Sequence, residues 1–279
     1  TLAGDIHVEG TPQAPRAKVM LGLATSREDG GKTLRLSVTG DVNSSSADVN
    51  VALTPSDAQT ELFGLRAKLP LSLGGAKKGI DPYRSIDVHA ALPKKTLADL
   101  WAYVPKNALP GIEMLPEGDV SLGLDVKGTA AKPDGKLHLS LTTKAVPGMA
   151  TTQKLELDAT LKPAETGNAL AAHTDIDVWF DADKPKLVHV AGDVDLSRSP
   201  ILGPPEVAYR ASVVAGPISP RDVPMASDKI KAMGGSVIAK VDVHGNKEDL
   251  NGKVTVTADG VRPTEGGQVG LVLTADLND

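Results

Sequence analysis

Residues 118–128 read "GDVSLGLDVKG", residues 235–245 read "GSVIAKVDVHG", and residues 2–10 read "LAGDIHVEG". Each stretch places an apolar residue at every second position and closes on glycine. In the first, Val120, Leu122, Leu124 and Val126 fall on one side of an extended chain. A period of two is the mark of a β-strand with one dry and one wet face. The copies align by number: Gly118, Gly128, Gly135 and Lys136 recur 117 residues later as Gly235, Gly245, Gly252 and Lys253. Gly10 and Lys18 stand 118 residues before Gly128 and Lys136. Within each copy the order is strand, glycine, short polar or proline-containing link, and a second alternating strand.

A hairpin that returns at so long a period predicts stacked units sharing one continuous core, with boundaries at 1–117, 118–234 and 235–279. The alternative is a string of separate β-sandwiches of about 100 residues each, as in a secreted adhesin or structural array. No linker-like stretch separates the copies, which favours the continuous arrangement.

The same alternation fills the rest of the chain. "TLRLSVTGDV" sets Leu34, Leu36 and Val38 against Arg35, Ser37 and Thr39, and "ADVNVAL" sets Val49, Val51 and Leu53 against Asp48 and Asn50. Further runs lie at 86–92, 136–141, 154–161, 174–180, 206–214, 253–258 and 269–277. About fifteen such runs fit between turn clusters such as "SREDGG", "VNSSS" and "DADKP". The expected fold is all-β with antiparallel neighbours, because the connections are short. One segment breaks the rhythm. "KTLADLWAYVP" has Leu97, Leu100, Trp101 and Val104 at helical spacing, Thr96 placed to cap, Asp99 in the first turn and Pro105 as a stop. This predicts a short helix near 97–103, closing the core with Trp101 as its one large ring. Residues 227–233, "SDKIKAM", form a weaker helical candidate.

Composition narrows the function. Thirty basic and 35 acidic residues leave a net charge of −5, which lacks the basic stripe that nucleic acid requires. Aromatic residues are 3% of the chain, so the core must be aliphatic. There are no cysteines, hence no disulfides and no thiolate metal sites. No run approaches the 18 apolar residues of a membrane-spanning helix. The chain starts at Thr1 and stops on "LTADLND", and it reads as a piece of something longer.

No motif carries catalytic chemistry. "GGKT" at 30–33 resembles the end of a phosphate loop, but a strand pattern follows where a helix is required, and "GGAKKG" at 74–79 fails in the same way. "HTDIDVWFD" puts His173, Asp175, Asp177, Trp179 and Asp181 on one strand face, as a metal site would need, yet Ile176, Val178 and Phe180 on the other face make this the wet side of an ordinary strand. The six histidines are isolated in sequence, without a helical ligand pair or a neighbouring serine nucleophile. The expectation is a non-enzyme without cofactor or metal.

The pattern G-x-V-x-L-x-L-x-V-x-G-T-x-x-x-P-x-G-x-L-x-L-x-L at 118–141 resembles the repeat of the TamB and AsmA-like bacterial envelope proteins. Residues 4–16, "GDIHVEGTPQAPR", fit the same mould, and the helical "LADL" at 97–100 precedes the second copy. The third copy departs from it, since "GNKEDLNG" at 245–252 lacks the Thr and Pro. The resemblance implies a long curved sheet folded into a U-shaped groove, a β-taco. It further implies a periplasmic conduit that carries phospholipid between the inner and outer membranes of a Gram-negative bacterium and assists outer-membrane protein assembly. The parent would be anchored in the inner membrane and would meet an outer-membrane barrel protein through a C-terminal region not seen here. On that reading acyl chains lie against the apolar set of each strand: Val120, Leu122, Leu124 and Val126, then Leu137, Leu139 and Leu141. Leu155, Leu157, Ile176, Val178 and Phe180 continue it, with Val254 and Val256 towards the far end. Scarce aromatic residues should leave this wall smooth and without hydrogen-bonding groups.

Overall fold

A computed structural model describes residues 2–11, 14–24, 32–72, 79–103, 117–144, 151–165, 167–183, 186–219, 234–246, 248–262 and 269–278. The strands are β1 (Leu2–Thr11), β2 (Ala14–Ala24), β3 (Leu34–Asn43), β4 (Ser46–Pro55), β5 (Phe63–Ser72), β6 (Gly79–Ile80), β7 (Ser85–Thr96) and β8 (Glu117–Thr129). They continue as β9 (Pro133–Lys144), β10 (Gln153–Pro163), β11 (Leu170–Trp179), β12 (Val188–Leu196), β13 (Val207–Ile218), β14 (Gly234–Gly245), β15 (Leu250–Arg262) and β16 (Val269–Asn278). Among the described residues the one α-helix, α1 (Leu97–Trp101), follows β7 directly, and a 3-10 turn spans Pro200–Leu202. Every strand of the main path pairs antiparallel with its sequence neighbour, β5 passing directly to β7, while the two-residue β6 pairs only with β5. The ladder does not close. The molecule is one open antiparallel sheet, consistent with a curved, taco-like form. Separate sandwiches are not what the described residues build: all sixteen strands join a single sheet.

The three hairpins that opened the sequence reading share one register. Gly128 pairs Pro133, Val126 pairs Gly135 and Leu122 pairs Leu139 in β8–β9. Moved on by 117 residues, these become Gly245 with Leu250, Val243 with Gly252 and Ala239 with Val256 in β14–β15. Moved back by 118, they become Gly10 with Pro15, Val8 with Ala17 and Gly4 with Leu21 in β1–β2. A register shift recurs as well. It lies between Leu92 and Lys95 in β7, opposite Leu122 and Val120, and between Ala215 and Ile218 in β13, opposite Ala239 and Val237. Pro93 falls inside the first shift and Pro217 inside the second. Proline has no N–H to give a ladder, so a bulge is where a strand tolerates it. Along the main path β8 is the sixth strand after β1, and β14 is the sixth after β8.

Local chemistry makes the short connections. Between β3 and β4, Asn43 Oδ1 accepts from the N–H groups of Ser45 and Ser46, bridging the turn with its own side chain. Gly128 holds φ at +101°, and a Cβ there would lie 2.5 Å from the Lys132 carbonyl oxygen, so this corner requires glycine. Helix α1 is capped as its sequence predicts, Thr96 Oγ1 accepting from the Asp99 N–H at 3.1 Å. One expectation is corrected. Leu97 is the buried residue of α1 at 7% exposure, whereas Trp101 is only half-buried. A helix of little more than one turn puts a single side chain beneath it, and the first residue takes that place. Val104, Pro105 and the candidate helix at 227–233 lie outside the described residues.

Burial is distributed in an unusual way. The accessible surface is 17519 Å², against about 11,300 Å² for a compact monomer of this mass. The buried apolar residues are Ala47, Leu62, Ile86, Ala90, Leu97, Ala130, Ala131 and Leu170. Apart from Ala90, they sit at strand ends and in connections. The link after β5 meets the β8–β9 turn here: Ala130 N–H donates to the Arg84 carbonyl and Ala131 N–H to the Pro82 carbonyl. Among the described residues nothing covers the middle of the sheet in this way.

Candidate functional site: an uncovered apolar face

Antiparallel pairing turns the alternation of each strand into rows running across the sheet. One row passes through Leu92, Leu122, Leu139, Leu157, Ile176, Val190, Val213, Val241 and Val254. A second, from β2 to β15, passes through Leu21, Val38, Val51, Leu65, Ala90, Leu124, Leu137, Ala159, Thr174, Gly192, Ala211, Val243 and Gly252. A third joins Val120, Leu141, Leu155, Val178 and Val188. None of these rows holds a charged residue. At the level of the third row, Lys95 stands opposite Val120, past the bulge in β7 and at the strand's end. With neighbouring strands about 4.8 Å apart, the second row extends roughly 60 Å.

The fourteen residues expected to line a groove lie on this one face, Phe180 by its place two residues past Val178. Phe180 follows the last paired residue of β11 rather than lying within it. All fourteen are half-exposed, none buried and none bare. In a two-sheet core, positions at the strand centres would be the most buried of all. Here the fourteen are not, because among the described residues no second layer covers them. Exposure rises at the two sheet edges, to 63% for Ile6 and 67% for Val8 on β1, and to 49% for Leu271 and 56% for Leu273 on β16. The sequence reading missed the part of the rows that β12–β14 supply, Val190, Val213 and Val241, although the same alternation marks them. It also called the wall free of hydrogen-bonding groups. The register corrects that: Thr174 pairs with Ala159 and Gly192, and Tyr209 with Val194 and Gly245, so both hydroxyl-bearing residues belong to the apolar face.

The opposite face is a lattice of charge. His89 Nδ1 lies 2.8 Å from Asp125, and His138 Nδ1 lies 2.7 Å from Asp158, each pair joining adjacent strands. The fullest cluster is on β11 and β12. His173 bonds Asp193 through Nδ1 at 2.7 Å and Asp175 through Nε2 at 2.8 Å. His189 Nδ1 reaches Asp177 at 2.6 Å, and its Nε2 lies 3.7 Å from Asp175. Histidines isolated in sequence are thus brought together through a shared carboxylate. The hydrogen bond from Asp193, then that from Asp175, raises His173 above the usual imidazole range against the effect of desolvation. Burial alone would raise Asp177, but Lys186 and His189 together hold its carboxyl below the usual range. Trp179 stands apart from this chemistry beneath the Lys154 ammonium, 4.8 Å from the ring centre. Asp181 accepts from the Asp183 N–H in a turn. Among the described residues no three His, Asp or Glu side chains converge on a cation position. The segment 74–78 and residues 30 and 31 lie outside the described residues, while Lys32 and Thr33 lead into β3.

No protein-family model matches this chain, and neither does any curated protein or solved structure.

Proposed function

We propose that this chain is a hydrophobic trough that holds phospholipid acyl chains against its apolar face and lets them move along it. On this reading it works between the two membranes of a Gram-negative envelope, as part of a protein anchored in the inner membrane that meets an outer-membrane barrel protein. The observation that carries the proposal is the continuous, charge-free apolar row that crosses the sheet with no second layer of described residues over it. Covering such a face is worth about 0.8 kcal/mol per methylene transferred from water. An acyl chain is an apolar body of suitable length, and rows of similar aliphatic side chains present no deep anchor point. Sliding therefore costs little. The resemblance of 118–141 to the TamB and AsmA-like repeat supports the same reading.

The test uses a charge placed in the row. Leu139→Asp puts a carboxylate midway along the apolar face. A carboxylate at 138 would face Asp158, so the matched control is Thr160→Asp, which faces Lys136 on the polar side. Purified protein is incubated with phospholipid vesicles, separated from them, and its bound lipid is measured by mass spectrometry. The parent and Thr160→Asp should retain lipid, and Leu139→Asp should lose most of it while keeping its β-sheet circular dichroism. Lipid absent from the parent, or retained equally by folded Leu139→Asp, ends the reading.

A further inference from the structure

Two neighbouring lysines of β7 lie on opposite faces of the sheet. Leu92 pairs with Leu122 and Lys95 with Val120, so Pro93 and Lys94 together stand against the single residue Ser121. The extra residue makes a β-bulge, which re-aims the side chains beyond it. By strict alternation from Leu92, Lys94 would share the apolar face and Lys95 the polar one. The bulge exchanges them. Lys94 is exposed and reaches Asp119 of the polar face at 3.2 Å. Lys95 is set beside Val120 on the apolar face, where it is half-buried.

Among the described residues of β7 to β13, Lys95 is the one charged residue that the register places on this face. Asp119 is taken by Lys94, and Asp99 accepts from Thr96 Oγ1. The Lys95 ammonium has no carboxylate partner among the described residues. At the same end of the strands the apolar face gives way to polar groups. Past Leu141 and Leu155, Thr143 Oγ1 donates to Gln153 Oε1 at 3.0 Å. The bulge of β13 repeats the geometry with another side chain: Ile218 stands opposite Val237 as Lys95 does opposite Val120. An aliphatic residue suits this corner, so the fold itself does not call for an ammonium there.

We infer that Lys95 receives the phosphate of a phospholipid whose acyl chains lie along the apolar rows, holding the headgroup at the end of β7. The inference rests on the trough reading and names the polar part of the lipid that this reading leaves open. A phosphate oxygen is a strong acceptor and carries the charge that the ammonium lacks. The four-carbon stem of the lysine lies on apolar surface while its head reaches the rim. A lysine acts on phosphate as a point charge, without the fixed fork of arginine, so it accepts a phosphodiester whatever group lies beyond it.

The test offers two lipids with the same acyl chains, one of them without phosphate. Protein is incubated with vesicles of dioleoylphosphatidylglycerol containing a minor share of dioleoylglycerol and then separated from them. Its bound lipid is measured by mass spectrometry against the composition of the vesicles. The parent should favour the phospholipid about fivefold, as fits a half-exposed charge pair. Lys95→Gln should lose that preference while keeping dioleoylglycerol and its β-sheet circular dichroism, and Lys95→Arg should retain it. Lys94→Gln, on the polar face, should leave the preference unchanged. Ile218→Lys should strengthen it by adding an ammonium at the equivalent corner. Inorganic phosphate in millimolar amounts should not displace the lipid, and displacement would make this a site for free anions and overturn the inference. Binding of both lipids without preference leaves the trough standing and overturns the role of Lys95, as does a preference that survives in Lys95→Gln. Equal loss of both lipids in Lys95→Gln would make the lysine a packing element and overturn its role as well. Binding of neither lipid by the parent ends the trough reading and this inference with it.

Discussion

The hairpins β8–β9 and β14–β15 keep one register from Asp119–Thr142 and Ser236–Asp259 up to their turns, and the turns share their closing hydrogen bonds but not their surroundings. In the first, Gly128 holds positive φ, Thr129 Oγ1 accepts from the Lys132 N–H, and Ala130 and Ala131 are buried against the link that follows β5. In the second, Gly245 has no positive φ, and the turn is built on itself, Asn246 Oδ1 accepting from the N–H groups of Glu248 and Asp249. Glu248, which occupies the place of Ala131, is exposed. Thr129 and Asn246 each donate their N–H to the carbonyl three residues on and accept from that residue's N–H with their side chain, so these shared bonds and the alternation of the strands set the pairing together. A slip of one residue would turn every apolar side chain to the wet face. The rest of the turn decides something else, namely whether the hairpin is tied to its surroundings.

The comparison can be broken most sharply at the turns. Ala131→Glu buries an unpaired carboxylate and should cost roughly 3 kcal/mol, lowering the denaturation midpoint clearly. Glu248→Ala, at the equivalent place, should stay within about 0.5 kcal/mol, as exposed substitutions do. Equal costs at the two sites would mean that the turns are not differently anchored. A smaller effect is expected on the shared face. Leu139→Asp and Val256→Asp occupy equivalent half-exposed positions and should each cost about 1–2 kcal/mol, well below a charge sealed in a close-packed core. Unfolding by either, measured by urea titration, would show that the face is covered after all.

The smallest effect concerns the polar face between the two hairpins. His173 is raised by its hydrogen bonds to Asp193 and Asp175. Its contribution to stability is therefore fully present below about pH 6.5, the value in the unfolded chain, and fades as the pH climbs through the higher folded value. Asp177 is lowered, so its contribution holds above about pH 4 and disappears as the pH falls through the lower folded value. The His173 pair is about half-exposed and screened by solvent, so the slope should be slight. Thermal unfolding should show a small decline from pH 6 to pH 8 that His173→Gln removes. A decline that survives in His173→Gln would assign it to another group.

Most of the architecture was legible in the sequence. Alternation named the strands, since a period of two is local and needs no knowledge of partners. The glycine offsets named the recurring hairpin, and Thr96, Asp99 and the spacing of Leu97, Leu100 and Trp101 located the one α-helix among the described residues. The shared apolar face was legible for the same reason: in an antiparallel sheet whose neighbours are adjacent in sequence, a residue's face follows from its parity. What tertiary structure alone decided depends on groups distant along the chain. That no second layer of described residues lies over the apolar face follows from fifteen strands joining one sheet rather than dividing into two, and either arrangement suits the same alternation. That Leu97 and not Trp101 is buried follows from where a short helix meets β7 and β8. The meeting of His173 and His189 through Asp175 is likewise invisible in sequence, because the register of β11 against β12 places His189 opposite Asp177, and no local rule specifies that pairing.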